Sequence, residues 1–349
     1  MKKKIIFILT LICTLGIFGF GYYHSTSATT NRLITAIQDK DLKTVEKYLP
    51  EYSDHSKINK SAYQAFIASN PSKKQIQRML KDECKLVDNG WFHQKYWEPQ
   101  KRSISISGLD DVDNTTASLI INQKKIPLKE NGHQNFLPGN YHFTVNIYNP
   151  AYGTVKKKEK VDLIKDNQSI VFSPKTDFEK NDHLHKVLLA SFSSFLISWN
   201  KSIAPMDFSN LKFATDNEKQ LLGYAYSSIK EVGTSYSNEF SKVTIDNSSI
   251  EIETFESQPT IEFNAFINRK QSLQVDKDKL DTDKDYNITS NDGAVNVTMV
   301  YSNKTGHWEV DSTDFEAGSG NPDDWDDKNS FTLPTDVQQA KWEKDVSNV

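Results

Sequence analysis

The sequence predicts an α+β, multidomain chain held by one N-terminal transmembrane helix. Three observations predict it. Lys2, Lys3 and Lys4 precede an unbroken apolar run over 5–23. Hydrophobic positions then recur every three and four residues, and further along the chain they recur every two, the periods of helices and of half-buried strands. A last segment carries both patterns in turn, helices first and strands after.

At ~1.5 Å per residue the run 5–23 reaches about the ~30 Å of a hydrocarbon core, and Tyr22 and Tyr23 suit the interface belt. The lysines make 1–4 a cytoplasmic stub, so the bulk of the chain is expected outside, as a cell-membrane protein of one span. A cleaved secretory signal also fits the basic start and the small residues Ser25, Thr26, Ser27 and Ala28. The length of the run and its tyrosines favour retention. Cys13 lies inside the run, which leaves Cys84 without a disulfide partner. Lys+Arg 42 against Asp+Glu 46 creates no field that would draw nucleic acid, and none is expected as a partner.

Residues 29–90 are expected to be helical. Leu33, Ile34 and Ile37, then Val45, Tyr48 and Leu49, form apolar stripes that Pro50 ends. Ala62, Phe66 and Ile67 start another helix, Ser72 can cap the next, and Cys84 falls on its last turn as a buried thiol. From 99 to 175 an antiparallel β domain is expected, on the alternation of Ile104 and Ile106, Leu119 and Ile121, and Tyr141, Phe143, Val145 and Ile147. Leu137-Pro138-Gly139-Asn140 reads as a type II turn, with Gly139 taking the positive φ.

The third unit covers 181–315. Leu184, Val187, Leu188, Phe192, Phe195, Leu196 and Trp199 form the wide stripe of a core helix. Thr215 and Glu218 read as a capping box for a second helix with Leu221, Leu222, Ala225 and Ile229 inward. Alternating strands follow through Val243, Ile252, Phe263, Val297 and Val310, as one curved antiparallel sheet. Residues 316–349, with Asp323, Asp324, Asp326 and Asp327, read as an acidic flexible tail, in which Trp325, Phe331 and Trp342 either dock on a partner or fold back.

Several strings together resemble the TcaA/YvbJ family of Gram-positive membrane proteins associated with glycopeptide (teicoplanin) response. They are Ala36-Ile37-Gln38-Asp39-Lys40-Asp41, Ser56-Lys57-Ile58-Asn59-Lys60-Ser61 and Leu137-Pro138-Gly139-Asn140-Tyr141. The resemblance implies one span, a helical domain, one or two β domains and a C-terminal cone-shaped domain of the nuclear transport factor 2-like fold. The family's N-terminal zinc ribbon has no counterpart before the apolar run, so no cytoplasmic metal role is expected. The implied cone encloses a cavity, for which Phe195, Trp199, Tyr224, Phe263, Tyr301 and Trp308 are the candidate lining residues, with simple core as the competing role.

No catalytic residue, metal ligand or cofactor is assigned. Ser198-x-x-Lys201, Tyr236-x-Asn238 and Lys304-Thr305-Gly306 repeat the motif order of penicillin-binding proteins, but Ser198 falls near a helix end where the nucleophile should open one. Asp281, Asp283, Asp285, Asn287, Thr289 and Asp292 mimic a calcium loop that lacks its glycine and its bidentate glutamate. His183 and His185 diverge on a helix. The expected role is therefore non-enzymatic: binding or sensing a cell-wall polymer or an envelope protein. The alternatives are an enzyme or small-ligand binder in the cone, and a spacer that scaffolds envelope proteins.

Overall fold

A computed structural model describes residues 25–88, 95–129, 132–255, 258–276, 279 and 286–344. The expected stub 1–4 and span 5–23 lie outside the described residues, as do Asp281, Asp283 and Asp285. Among the described residues no helix is long and apolar enough to cross a membrane. The chain forms two compact units, the first built from residues up to 110, 115–147 and 155–172, the second from 111–114, 148–154 and the chain from 173 onward.

The first unit begins with four short helices, α1 (Thr26–Gln38), α2 (Leu42–Tyr48), α3 (Lys60–Ala68) and α4 (Lys73–Asp82). Each starts at a short polar side chain that accepts an otherwise unpaired backbone N–H: Ser25, Asp41, Asn59 and Ser72. Ser72 and Gln75 complete a reciprocal capping box. Nine strands follow: β1 (Cys84–Val87), β2 (Tyr96–Pro99), β3 (Arg102–Ser107), β4 (Thr116–Ile121), β5 (Lys124–Pro127), β6 (Gln134–Phe136), β7 (Asn140–Asn149), β8 (Gly153–Asp162) and β9 (Gln168–Val171). They make sheets of order β1-β2, β6-β3-β9 and β5-β4-β7-β8. The predicted alternation holds, since Tyr141, Phe143, Val145 and Ile147 are all buried on one face of β7.

The helical and β segments, read from sequence as separate domains, pack as one unit. Arg102 pairs with Glu83 at 2.5 Å, Asn122 donates to the Ala68 carbonyl at 2.7 Å, and the Phe66 ring lies 3.4 Å from where a Cβ on Gly139 would sit. The type II turn expected there is corrected, because Gly139 is absent from the positive-φ residues. Two further corrections concern strands. β3 and β9 pair in parallel, Ile104 opposite Gln168, so the β part is not wholly antiparallel. Cys84 opens β1 rather than ending a helix, because Glu83 already leaves helical geometry; burial pushes its thiol pKa well up.

The second unit carries α5 (Pro174–Glu179), α6 (Asp182–Ile203) and α7 (Asp216–Val232) ahead of the strands β10 (Gly233–Asp246), β11 (Glu251–Thr254), β12 (Thr260–Val275), β13 (Tyr286–Ser290), β14 (Gly293–Ser302) and β15 (His307–Asp314). β16 (Lys328–Thr332) and β17 (Gln339–Glu343) complete an eight-stranded sheet of order β15-β14-β12-β10-β16, with β11 and β13 on β12 and β17 on β10. A register shift between Phe240 and Lys242 marks a bulge in β10, the device that bends a long strand.

The expected flexible tail at 316–349 is corrected through residue 344. β16 runs antiparallel to one half of β10, Val243 opposite Phe331, and β17 to the other half, Tyr236 opposite Trp342. Their low apolar content was misleading. An added edge strand draws its order from the backbone groups that β10 would otherwise leave unpaired, and needs only a few buried side chains. Leu333 and Trp342 supply them.

Candidate functional site

The cone interior came first among the sequence candidates, and the structure fills it. α6 runs over the sheet with Leu184, Leu188, Phe192, Phe195, Leu196 and Trp199 buried, as its stripe requires. Phe192 meets Phe263 edge-on at 6.0 Å between centroids, Phe195 meets Trp199 at 5.5 Å, and Trp199 meets Phe240 at 5.4 Å. Such offset and edge-on contacts are how aromatic rings pack a core. The polar tips are satisfied in a chain: Trp199 Nε1 donates to Tyr226 Oη at 2.9 Å, which lies 3.0 Å from Tyr236 Oη. Burial raises both phenol pKa values, so neither is a ready proton donor near neutrality.

Of the six candidate lining residues, Phe195, Trp199 and Phe263 therefore belong to one packed cluster. Tyr301 and Trp308 form a second, 5.5 Å apart, where Trp308 Nε1 donates to the Ala151 carbonyl at 3.0 Å and Tyr152 stacks on Phe178 at 4.9 Å. Tyr224 is corrected outright: it is 78% exposed. The reason is the phase of α7, whose inward face is Glu218, Leu222 and Tyr226 while Leu221 and Ala225 face out. Glu218 also departs from the predicted capping box. Thr215 Oγ1 accepts its N–H, but its carboxyl turns inward to accept from Thr313 Oγ1 at 3.0 Å. Desolvation lifts its pKa to about 7, Asp311 adding to the rise while the Thr313 hydrogen bond opposes it.

The motif look-alikes are structural. Ser198 Oγ accepts the Lys212 N–H, Asn238 is buried against Asn200, and 304–306 lie in the turn between β14 and β15. Asn287 and Thr289 sit on β13, while Asp292 accepts from the Asn268 amide and the Arg269 N–H at 2.9 and 2.8 Å. His185 is buried with Nε2 2.6 Å from the Glu179 carbonyl, whereas His183 is exposed.

A different region of the second unit offers concave polar surface. Across β13, β12, β10 and β17 the register places Thr289 opposite Ser272, Ser272 opposite Ser237, and Ser237 opposite Lys341. One step along, Lys270 faces Glu239 and Glu239 faces Gln339. Since successive residues of a strand alternate faces, these side chains project away from the face that carries Tyr236, Asn238 and Phe240. With Asn291 they line a groove of about 500 Å³. Hydroxyls, amides and a lysine–glutamate pair recur there at the ~4.8 Å spacing of neighbouring strands. The tail strand β17 forms one wall, which is why this groove was not visible from sequence. The chain entering that strand is held by Asn200 of α6, whose amide donates to the carbonyls of Val337 and Gln338 at 3.0 and 2.8 Å.

Comparison with known proteins bears on the second unit. Residues 188–314 match the family model described as the YvbJ NTF2-like domain. No curated protein matches. Among solved structures, one described as the crystal structure of the intermembrane space region of chloroplast protein ARC6 is similar at 10% identity and a TM-score of 0.28, covering 37% of this chain and 93% of that one. A likeness so low carries no argument about fold or role.

Proposed function

We propose that this chain, whose residues 188–314 match the YvbJ NTF2-like domain, is a TcaA/YvbJ-like, membrane-anchored extracytoplasmic protein that binds or senses a cell-envelope polymer. The groove across β13, β12, β10 and β17 carries this reading. Regularly spaced hydroxyl, amide and charged groups suit a ligand that itself repeats polar groups, such as a cell-wall polymer or its precursor. Catalysis is not required. The aromatic packing of the cone interior supports a non-enzymatic role, and the buried Glu218 carboxyl contacts Thr313 rather than a cleft. The lysines and apolar run at 1–23 support the single span with the bulk of the chain outside. A link to glycopeptide response belongs to the same reading.

The test is retention of the full chain, in detergent, on insoluble purified cell wall and on membrane extract. Retention on wall polymer that is competed by solubilised wall fragments is the expected result. A chain that passes through both unretained would remove the reading. A second reading, a spacer that scaffolds envelope proteins, rests on Leu221 and Tyr224, which are 52% and 78% exposed on one face of α7. In that case Leu221→Lys with Tyr224→Lys abolishes capture of a protein from the extract and leaves wall binding intact.

A further inference from the structure

In the first unit, Pro50 ends the α2 segment and the chain turns through 51–57 before α3. Glu51 and Lys57 close this turn as an isolated antiparallel bridge, Tyr52 N–H donates to the Ser56 carbonyl at 2.9 Å, and His55 N–H returns to the Tyr52 carbonyl at 2.9 Å. His55 takes φ of 60°, a left-handed conformation that a non-glycine residue adopts only when its surroundings hold it. What holds it is the end of β2. Ser53 N–H donates to the Pro99 carbonyl at 2.9 Å, Ser53 Oγ to Gln100 at 3.1 Å, and Lys101 Nζ to Asp54 and Ser56 at 3.1 and 3.2 Å.

The turn so fixed brings three ligating side chains together. His55 Nδ1 lies 3.3 Å from Glu51 Oε1 and 4.0 Å from Glu98 Oε1, and one donor atom from each residue falls within 4.8 Å of the others. Glu98 is the informative member. It is 2% exposed, and its Oε2 is buried with no hydrogen-bond partner among the described residues. A carboxylate oxygen left so is costly, because desolvation of a charged acceptor is repaid only by a partner. Lys101, three residues beyond Glu98, is already engaged by Asp54 and Ser56.

We propose that Glu51, His55 and Glu98 form a binding site for a divalent transition cation of the zinc type. Zinc takes carboxylate oxygen at about 2.0–2.2 Å and imidazole nitrogen at about 2.0–2.1 Å, so tetrahedral ligands sit roughly 3.3–3.5 Å apart. The 3.3 Å separation already meets that spacing, and the 4.0 Å one requires only a small side-chain rotation. An imidazole in the set selects against calcium and magnesium, which prefer all-oxygen ligands. Two carboxylates match the ion's charge, and three protein ligands leave one position to water. The half-exposed Glu51 and the exposed His55 provide the entry path to the buried Glu98. The ion would staple the 51–57 turn to β2. No spacing motif announces the site, because the turn and the strand lie far apart in sequence.

The experiment is equilibrium dialysis of the full-length chain against zinc, with metal content read by mass spectrometry and thermal stability by circular dichroism. One retained equivalent is expected, with a rise in Tm that chelator reverses and that magnesium and calcium do not reproduce. Glu98→Gln and His55→Gln should each lower the retained zinc at least tenfold. His55 is exposed, so its variant keeps the fold even if Glu98→Gln weakens it. No retained equivalent overturns the proposal, and so does an equivalent that persists unchanged in His55→Gln. The latter result would place the zinc on other histidines and leave His55 as an ion-pair partner of the two carboxylates.

Discussion

At the residue scale, Glu218 is the side chain whose chemistry departs furthest from its position in the sequence. Its folded-state pKa of about 7 lies above the ordinary carboxyl value. The folded chain therefore keeps a proton that the unfolded chain releases. Stability from this group is fully present below about pH 4.5 and is lost as pH rises through 7, by something of the order of 3 kcal/mol. Glu218→Gln should flatten the decline in Tm between pH 5 and pH 8 and stabilise the protein at the upper end. Parallel melting profiles for the two proteins would show that Glu218 ionises without cost. The sequence placed this residue correctly at the start of α7 and misread its partner. A glutamate three residues after a threonine fits a capping box, and only the proximity of Thr313 on β15 turns the carboxyl inward. Trp308 was legible as an apolar position and not as an anchor. Its Nε1 bond to the Ala151 carbonyl joins residues that no local pattern relates, and Trp308→Ala should cost about 3–5 kcal/mol in denaturant unfolding.

At the scale of elements, strong periodicity translated directly. The α6 stripe, the β7 alternation and the β14 alternation fell on buried faces as read, because each has several large apolar side chains in phase. In α7 the inward face is only partly the one hydropathy selects. Leu222 is buried as its apolar character predicts, but Leu221 and Ala225 are apolar yet exposed, while Glu218 and Tyr226 are polar yet buried. The last strands were missed for a different reason. β16 and β17 are held by β10's backbone and by Asn200, interactions that depend on the sheet existing first. Leu333, 1% exposed between them, is their main apolar anchor. Leu333→Ala should therefore lower stability by about 2–4 kcal/mol. Ending the chain before Lys328 should uncover β10's edge and raise aggregation, measured by light scattering. A truncated chain as stable and as monodisperse as the full one would return the tail to a dispensable role.

At the scale of the whole molecule, the order of parts was readable: an apolar run, helices, strands, then helices and a large sheet. What the sequence could not give was the location of concave surface. The cone interior, inferred from resemblance, is occupied by its own aromatic rings, while the groove arises on the other face of the sheet from strands distant in sequence. The zinc-type site has the same origin, since Glu98 meets the 51–57 turn only after β2 is in place. Both features lie in different units, so a charge change in one should leave the function of the other intact. The most direct test of the central claim is the dissociation constant for purified cell-wall polymer, measured by cosedimentation for the wild type and for Ser272→Trp combined with Lys270→Glu. These substitutions fill the groove and invert its charge without touching the buried face of β12. The account predicts at least a tenfold weaker constant with unchanged Tm, and equal affinity in a stably folded variant would contradict it.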